Sequence, residues 1–176
     1  MKKFSTLFLM AGMLMIMGCG GSGGNSSGSG KVSGEVYTSE VMSVLVPKGW
    51  KAFPGLVAGT IDEFREDQVA IHKGAKQAID QLDTPGIVIN YFPQAKYART
   101  PGKTWYDNVS DIAPFTMGNY EWEGFTGSIS NRKCAIFWTT NADELFQVVA
   151  WLEYDGKKIS LDDADVKALI ASISTK

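Results

Sequence analysis

Tyr120-Glu121-Trp122-Glu123-Gly124-Phe125-Thr126-Gly127-Ser128-Ile129-Ser130-Asn131-Arg132-Lys133-Cys134-Ala135-Ile136-Phe137-Trp138-Thr139-Thr140 is the stretch whose reading decides the fold. Two runs rich in aromatic and β-branched residues, 119–130 and 133–140, flank Ser130-Asn131-Arg132, a polar triplet suited to a turn. A third run, 144–154, is apolar on both faces and begins after the equally short Asn141-Ala142-Asp143. Strands joined by so few residues have no room for a crossover, so the three are expected to form an antiparallel meander. Gly124 and Gly127 are expected bulge points in the first of them.

Toward the N-terminus, Gly86-Ile87-Val88-Ile89-Asn90-Tyr91-Phe92 is the continuous β-branched and aromatic run of a central strand. Gln68 to His72 alternates as a strand does. Met42-Ser43-Val44-Leu45-Val46-Pro47 is another, ended by a Pro-Lys-Gly turn before Trp50, Ala52 and Phe53 begin a further extended stretch. Helical spacing predicts a helix over 103–112, with Trp105, Val109 and Ile112 on one face. It predicts a second over 162–174, with Val166, Leu169, Ile170 and Ile173 at i, i+3, i+4 and i+7. Ser160, three residues ahead of Asp163, predicts a capping box at its start. Residues 75–82 fit a short helix or a polar loop. The expected class is α+β, an antiparallel sheet with helices packed on it.

The N-terminus gives an address. Lys2 and Lys3 precede the apolar run 4–17, too short to span a bilayer comfortably, and residues 1–18 read as a signal peptide. Ile16-Met17-Gly18-Cys19 resembles the lipobox of bacterial lipoprotein precursors, which implies lipidation of the Cys19 thiol. Two or three acyl chains on one residue hold a protein stably at a membrane where a single chain does not. Residues 19–30, the lipidated cysteine and a Gly/Ser run, have nothing to bury and are expected to act as a coil tether reaching roughly 17 to 20 Å. The run lacks the preceding strand and the following Lys-Ser pair of a phosphate-binding loop. No later segment is long and apolar enough to span, so the expected location is the cell membrane, lipid-anchored, on the extracytoplasmic face.

Residues 31–176, about 146 in all, suit one domain rather than the two lobes of a closing solute receptor. The chain has 17 basic and 19 acidic residues, and without Lys2 and Lys3 its formal charge is about −4. Phosphate neutralisation needs clustered Lys and Arg, so no nucleic-acid partner is expected. Cys134 has no disulfide partner once Cys19 carries lipid, and its apolar run predicts a buried, inert thiol. His72 is the only histidine, which excludes His-based metal clusters, and there is no Gly-x-Ser-x-Gly elbow for a triad. Asp162, Asp163 and Asp165 lack the glycine turn and terminal glutamate of a calcium loop and are read as helix-start residues. No metal, cofactor or catalytic residue is expected.

Val44-Leu45-Val46-Pro47-Lys48-Gly49-Trp50, the mid-chain strand Ile87-Val88-Ile89-Asn90 and the ending Ile170-Ala171-Ser172-Ile173 together resemble the PsbP-like fold. That fold is shared by the PsbP photosystem subunit, a Ran nucleotide-release factor and bacterial lipoproteins of the DcrB and LpqN type. The resemblance covers nearly all of 31–176. It implies an α/β/α sandwich used as a binding or assembly module, and it carries over no catalytic residue.

The sharpest enzymatic pattern is Glu121 and Glu123. Strand alternation sets them on one face roughly 6 to 7 Å apart, near the lower limit for an inverting glycosidase, with Tyr120 and Trp122 on the other. Neighbours on one flat strand do not enclose a sugar, so a solvated face with an apolar back is expected instead. Trp50, Trp105, Trp138 and Trp151 are read as packing residues. Any binding loop is expected near Tyr91, Tyr97, Arg99, Trp105 and Tyr106. The sequence reading is thus a non-catalytic, lipid-anchored envelope module that binds a protein or small ligand. The alternatives are a glycan hydrolase using Glu121 and Glu123, or an accessory subunit of a transport or secretion complex.

Overall fold

The computed structural model describes residues 32–60, 62–94, 102–140 and 145–176. The signal segment, Cys19, the tether, Tyr97, Arg99 and the 141–143 turn lie outside them.

The strands are β1 (Gly34–Thr38), β2 (Met42–Pro47), β3 (Trp50–Leu56), β4 (Phe64–Lys73), β5 (Gly86–Phe92), β6 (Asp107–Met117), β7 (Tyr120–Ile129), β8 (Arg132–Thr139) and β9 (Leu145–Trp151). They are followed by β10 (Glu153–Tyr154), β11 (Lys157–Lys158), the helix α1 (Ala164–Ala171) and β12 (Ser174–Thr175). Seven of these form one antiparallel sheet in the order β3-β4-β5-β9-β8-β7-β6, and β1-β2-β12 form a smaller one. The β7-β8-β9 meander is as expected. Its first connection is a two-residue loop with Ser130 and Asn131 both at positive φ, the backbone that matches the twist of a hairpin.

The main core lies on one face of the large sheet, and a smaller buried cluster of Phe125, Cys134 and Ile136 lies on the other. Ile71, Ile87, Ile89, Phe146, Val148, Phe137 and Trp122 supply the floor of the main core, and Met42 and Val44 of β2 with Val166, Leu169, Ile170 and Ile173 supply the lid. Ser172 Oγ ties the lid together by accepting the Leu45 N–H at 2.7 Å.

Three expectations are corrected. The segment 103–112 is a short 3-10 turn, Lys103–Trp105, followed by strand β6. Pairing with β7 along β6 supplies the backbone partners that a helix would have supplied internally, and Trp105 is left 77 % exposed. The helix-flanked α/β/α sandwich is likewise replaced by a sheet-dominated fold with one α-helix among the described residues, because β1, β2 and β12 do the covering assigned to helices. That helix is also shorter than expected. Asp163 is its N-cap, and the Asp163 carboxylate accepts the Ser160 N–H at 3.0 Å, so the Ser160–Asp163 contact closes the turn just ahead of the helix.

Both edges of the large sheet are irregular. The bulges fall in β6, which inserts one residue opposite Gly127 and another between the partners of Gly124 and Trp122; β7 itself keeps unbroken register with β8. β6 also carries Pro114, tolerated at an edge, while β3 carries Pro54 beside its own register shift. No helix among the described residues is long and apolar enough to cross a membrane.

Candidate functional site

The face of the large sheet turned away from β2 and α1 is built by alternation from three cross-strand rows. The first runs Glu123, Trp138, Gln147, Asn90, Gln68, each directly opposite the next. Trp138 Nε1 donates to Glu123 Oε1 at 2.8 Å, and Gln68 Nε2 donates to Asn90 Oδ1 at 2.5 Å. The second row, from Phe125 through Ile136, Val149, Val88 and Ala70 to Phe53, is apolar. The Tyr106 ring stands edge-on to Phe125 at 5.3 Å, and the Lys103 ammonium lies 5.9 Å from the Phe125 ring.

The third row contains Cys134, Trp151, Gly86 and His72. A Cβ on Gly86 would stand 2.4 Å from the His72 ring, so glycine is what lets the imidazole lie across β5. His72 Nδ1 is 3.1 Å from the Thr84 carbonyl, which the Nδ1–H tautomer can donate to. Burial holds the His72 pKa below its usual value; the Thr84 bond opposes this and the Arg132 charge adds to it. A depressed histidine pKa means that the unfolded chain takes up its proton first. Stability from His72 is therefore complete above about pH 6.5 and falls with acidification from there to the folded pKa. Urea unfolding between pH 7.5 and pH 5 is expected to show a loss approaching about 1.4 kcal/mol per pH unit at most, absent in His72→Gln. An equal slope in that variant would assign the effect to other groups.

Cys134 donates to the Gly127 carbonyl at 3.6 Å, and burial pushes its thiol pKa up to about 11, with Arg132 opposing. The expectation of an inert thiol follows through to an experiment. In a Cys19→Ser chain, a disulfide reagent at pH 8 is expected to react with Cys134 at least 100-fold faster after guanidinium unfolding than before. Rapid reaction of the folded chain would mean that the site opens. Arg132 itself lies between the Trp151 and Tyr154 rings, 4.6 and 4.7 Å from their centres.

Glu121 and Glu123 share the exposed side of β7 with Trp122 buried behind them, as alternation requires. They occupy one strand face and do not form opposing walls of a cleft. The three aspartates at the helix start are each engaged: Asp162 with Lys167 at 2.8 Å, Asp163 at the cap, and Asp165 with Trp50 Nε1 at 3.3 Å. Among the described residues no three metal-capable side chains cluster. The expected aromatic loop is divided. Tyr91 is in the core, its ring tilted against that of Phe146 with centres 5.1 Å apart; Tyr106 covers Phe125; Trp105, read as a packing residue, is exposed instead. Sequence reasoning missed the amide row. Its signal was a lone Asn90 and a lone Gln147, each interrupting an apolar strand.

No family model matches the chain, and no curated protein does. Among solved structures it is similar to a crystal structure from Bacteroides thetaiotaomicron VPI-5482, at 12 % identity and a TM-score of 0.46, over 81 % of this chain and 48 % of that one. The chain thus spans about half of that protein's length. It is also similar to the solution structure of cyanobacterial PsbP (CyanoP) from Synechocystis sp. PCC 6803, at 15 % identity and a TM-score of 0.45, over 87 % of this chain and 98 % of that one.

Proposed function

We propose that this chain is a non-catalytic binding or assembly module of PsbP-like fold in the bacterial cell envelope, lipid-anchored through Cys19 on the extracytoplasmic face and related to lipoproteins of the DcrB and LpqN type. The observation that supports it best is the outer sheet face. Along one cross-strand row Glu123 is exposed and Trp138, Asn90 and Gln68 are half-buried, while Gln147 and most of the neighbouring apolar row are buried, so a carboxylate, an indole and two amides are held on a rigid platform. The partner on this reading is an envelope protein or small ligand.

The test is crosslinked capture from envelopes with the full chain. Glu123→Lys reverses charge at the exposed end of the row and is expected to abolish capture. Glu35→Lys, on the exposed strand β1, is expected to leave it unchanged. Capture indifferent to Glu123→Lys would remove the face from the reading, and retention of Cys19→Ser in the membrane fraction would remove the anchor.

A further inference from the structure

At the β3 end of the outer face, beneath the 3-10 turn Ala78–Leu82, is a cavity of about 510 Å³. Its floor is Phe53, Ala70 and Val88, and among the described residues its only lining side chains with polar atoms are Gln68 and Gln81. Among the described residues no charged one lines it, in a chain that is 20 % charged. Three other cavities differ in this respect: one holds Lys133, one Glu35 and Lys48, and one Asp162 and Lys167.

The two amides are oriented by their own hydrogen bonds. Gln68 Nε2 donates to Asn90, and Gln81 Nε2 donates to the Ala78 carbonyl at 3.0 Å. Gln68 lies against β3 where Gly55 has no side chain; a Cβ there would stand 2.4 Å from Gln68 Oε1. Each amide thus keeps a carbonyl oxygen for an incoming donor. Leu56 and Phe64, which line the cavity opposite one another at the bulge, are 50 % and 55 % exposed. Large apolar side chains grouped in this way lose water-exposed area when a ligand covers them.

From this we infer that the cavity binds a neutral amphiphile, an apolar chain or ring bearing a hydroxyl group, with the hydroxyl donating to Gln68 or Gln81. The inference rests on the reading of the outer face as a binding surface and names the ligand class at one end of it. The Lys51 ammonium lies 5.7 Å from the centre of the Phe53 ring and donates to the Lys76 carbonyl at 2.6 Å, so a carboxylate or phosphate inside would be desolvated without a cation among the described lining residues. A sugar would leave most of its hydroxyls against Phe53 and Val88.

The experiment is photolabelling of the full chain with a diazirine analogue of 1-decanol, with adducts mapped by mass spectrometry. Labels are expected at 53–56 and 64–70, displaced by 1-decanol and displaced at least tenfold less well by decanoate. Ala78→Trp fills the cavity from an exposed position and is expected to cut labelling tenfold or more. Gln68→Leu keeps the apolar floor and is expected to weaken competition by 1-decanol roughly 3- to 10-fold, the worth of one neutral hydrogen bond. Labelling spread over the surface, or competition by decanoate equal to that by 1-decanol in the unaltered chain, would overturn the inference without depending on any variant's folding. Envelope capture tested at Glu123 is read separately, so loss of the ligand and loss of the binding face give different results.

Discussion

Trp122→Ala is expected to remove about 4 kcal/mol of stability, a large part of the roughly 5–15 kcal/mol typical of a domain. Trp122 is fully buried, edge-on to Phe137 at 5.3 Å and to Tyr120 at 5.9 Å. Its Nε1–H also donates to the Met117 carbonyl at 3.1 Å, just before the β6–β7 turn. Truncation therefore opens a cavity under the helix lid and leaves that carbonyl without its indole donor. Trp122→Phe keeps much of the apolar area and loses the hydrogen bond, so its expected cost is smaller, about 1–2 kcal/mol. Guanidinium unfolding of the three chains measures both steps. A cost below about 1 kcal/mol for Trp122→Ala would contradict the packing described here, since that is the range of an exposed position.

The second large effect is expected at Gly118. This residue opens the two-residue β6–β7 loop with φ at +64°, and a Cβ there would stand 2.3 Å from the Ala171 carbonyl oxygen at the end of α1. Gly118→Ala combines a left-handed backbone, costing about 1–2 kcal/mol for a residue with a Cβ, with a backbone clash that forces the hairpin and helix apart. The expected total is about 2–4 kcal/mol, with faster amide exchange at the C-terminal turn of α1. Gly156 is the internal control. Its φ is +76° in the β10–β11 loop, but nothing lies within 4 Å of an added Cβ, so Gly156→Ala is expected to show the backbone cost alone. Equal losses at the two glycines would mean that the loop–helix contact contributes nothing.

The strands that read most easily were those whose signal is local. Gly86 to Phe92 and Met42 to Pro47 coincide with β5 and β2, because unbroken β-branched runs bounded by turn residues leave little else for the chain to do. Residues 103–112 failed for the opposite reason. Three apolar residues at helical spacing are also compatible with a bulged edge strand, and only the presence of β7 alongside favours the second. Gly124 and Gly127 were expected as bulge points of their own strand, but the extra residues belong to the neighbouring β6. β1 was not anticipated; its five residues are mostly exposed and carry weak periodicity.

The candidate site was less legible than the fold. Glu121 and Glu123 stood out as neighbours in sequence, and alternation correctly set them on the polar side of β7. The amides that complete the row are contributed by β4, β5 and β9, and no spacing along the chain joins residue 68 to 90 to 147. The cavity under Ala78–Leu82 was equally hidden, since it depends on a short turn of ambiguous pattern settling over the end of β3.

By itself the sequence determined the runs of β2, β5 and the β7–β9 meander, that Glu121 and Glu123 would share the side of β7 opposite Trp122, and that one amphipathic helix would follow the meander. Those properties come from side-chain alternation and turn chemistry, which act over a few residues. Only the tertiary structure decided the strand order, the covering of one sheet face by β1, β2, β12 and α1, and the alignment of Gln68, Asn90, Gln147, Trp138 and Glu123 on the other. Cross-strand register is set by hydrogen bonds between segments distant in sequence and by burial of their shared apolar face, so it exists only once the sheet has closed.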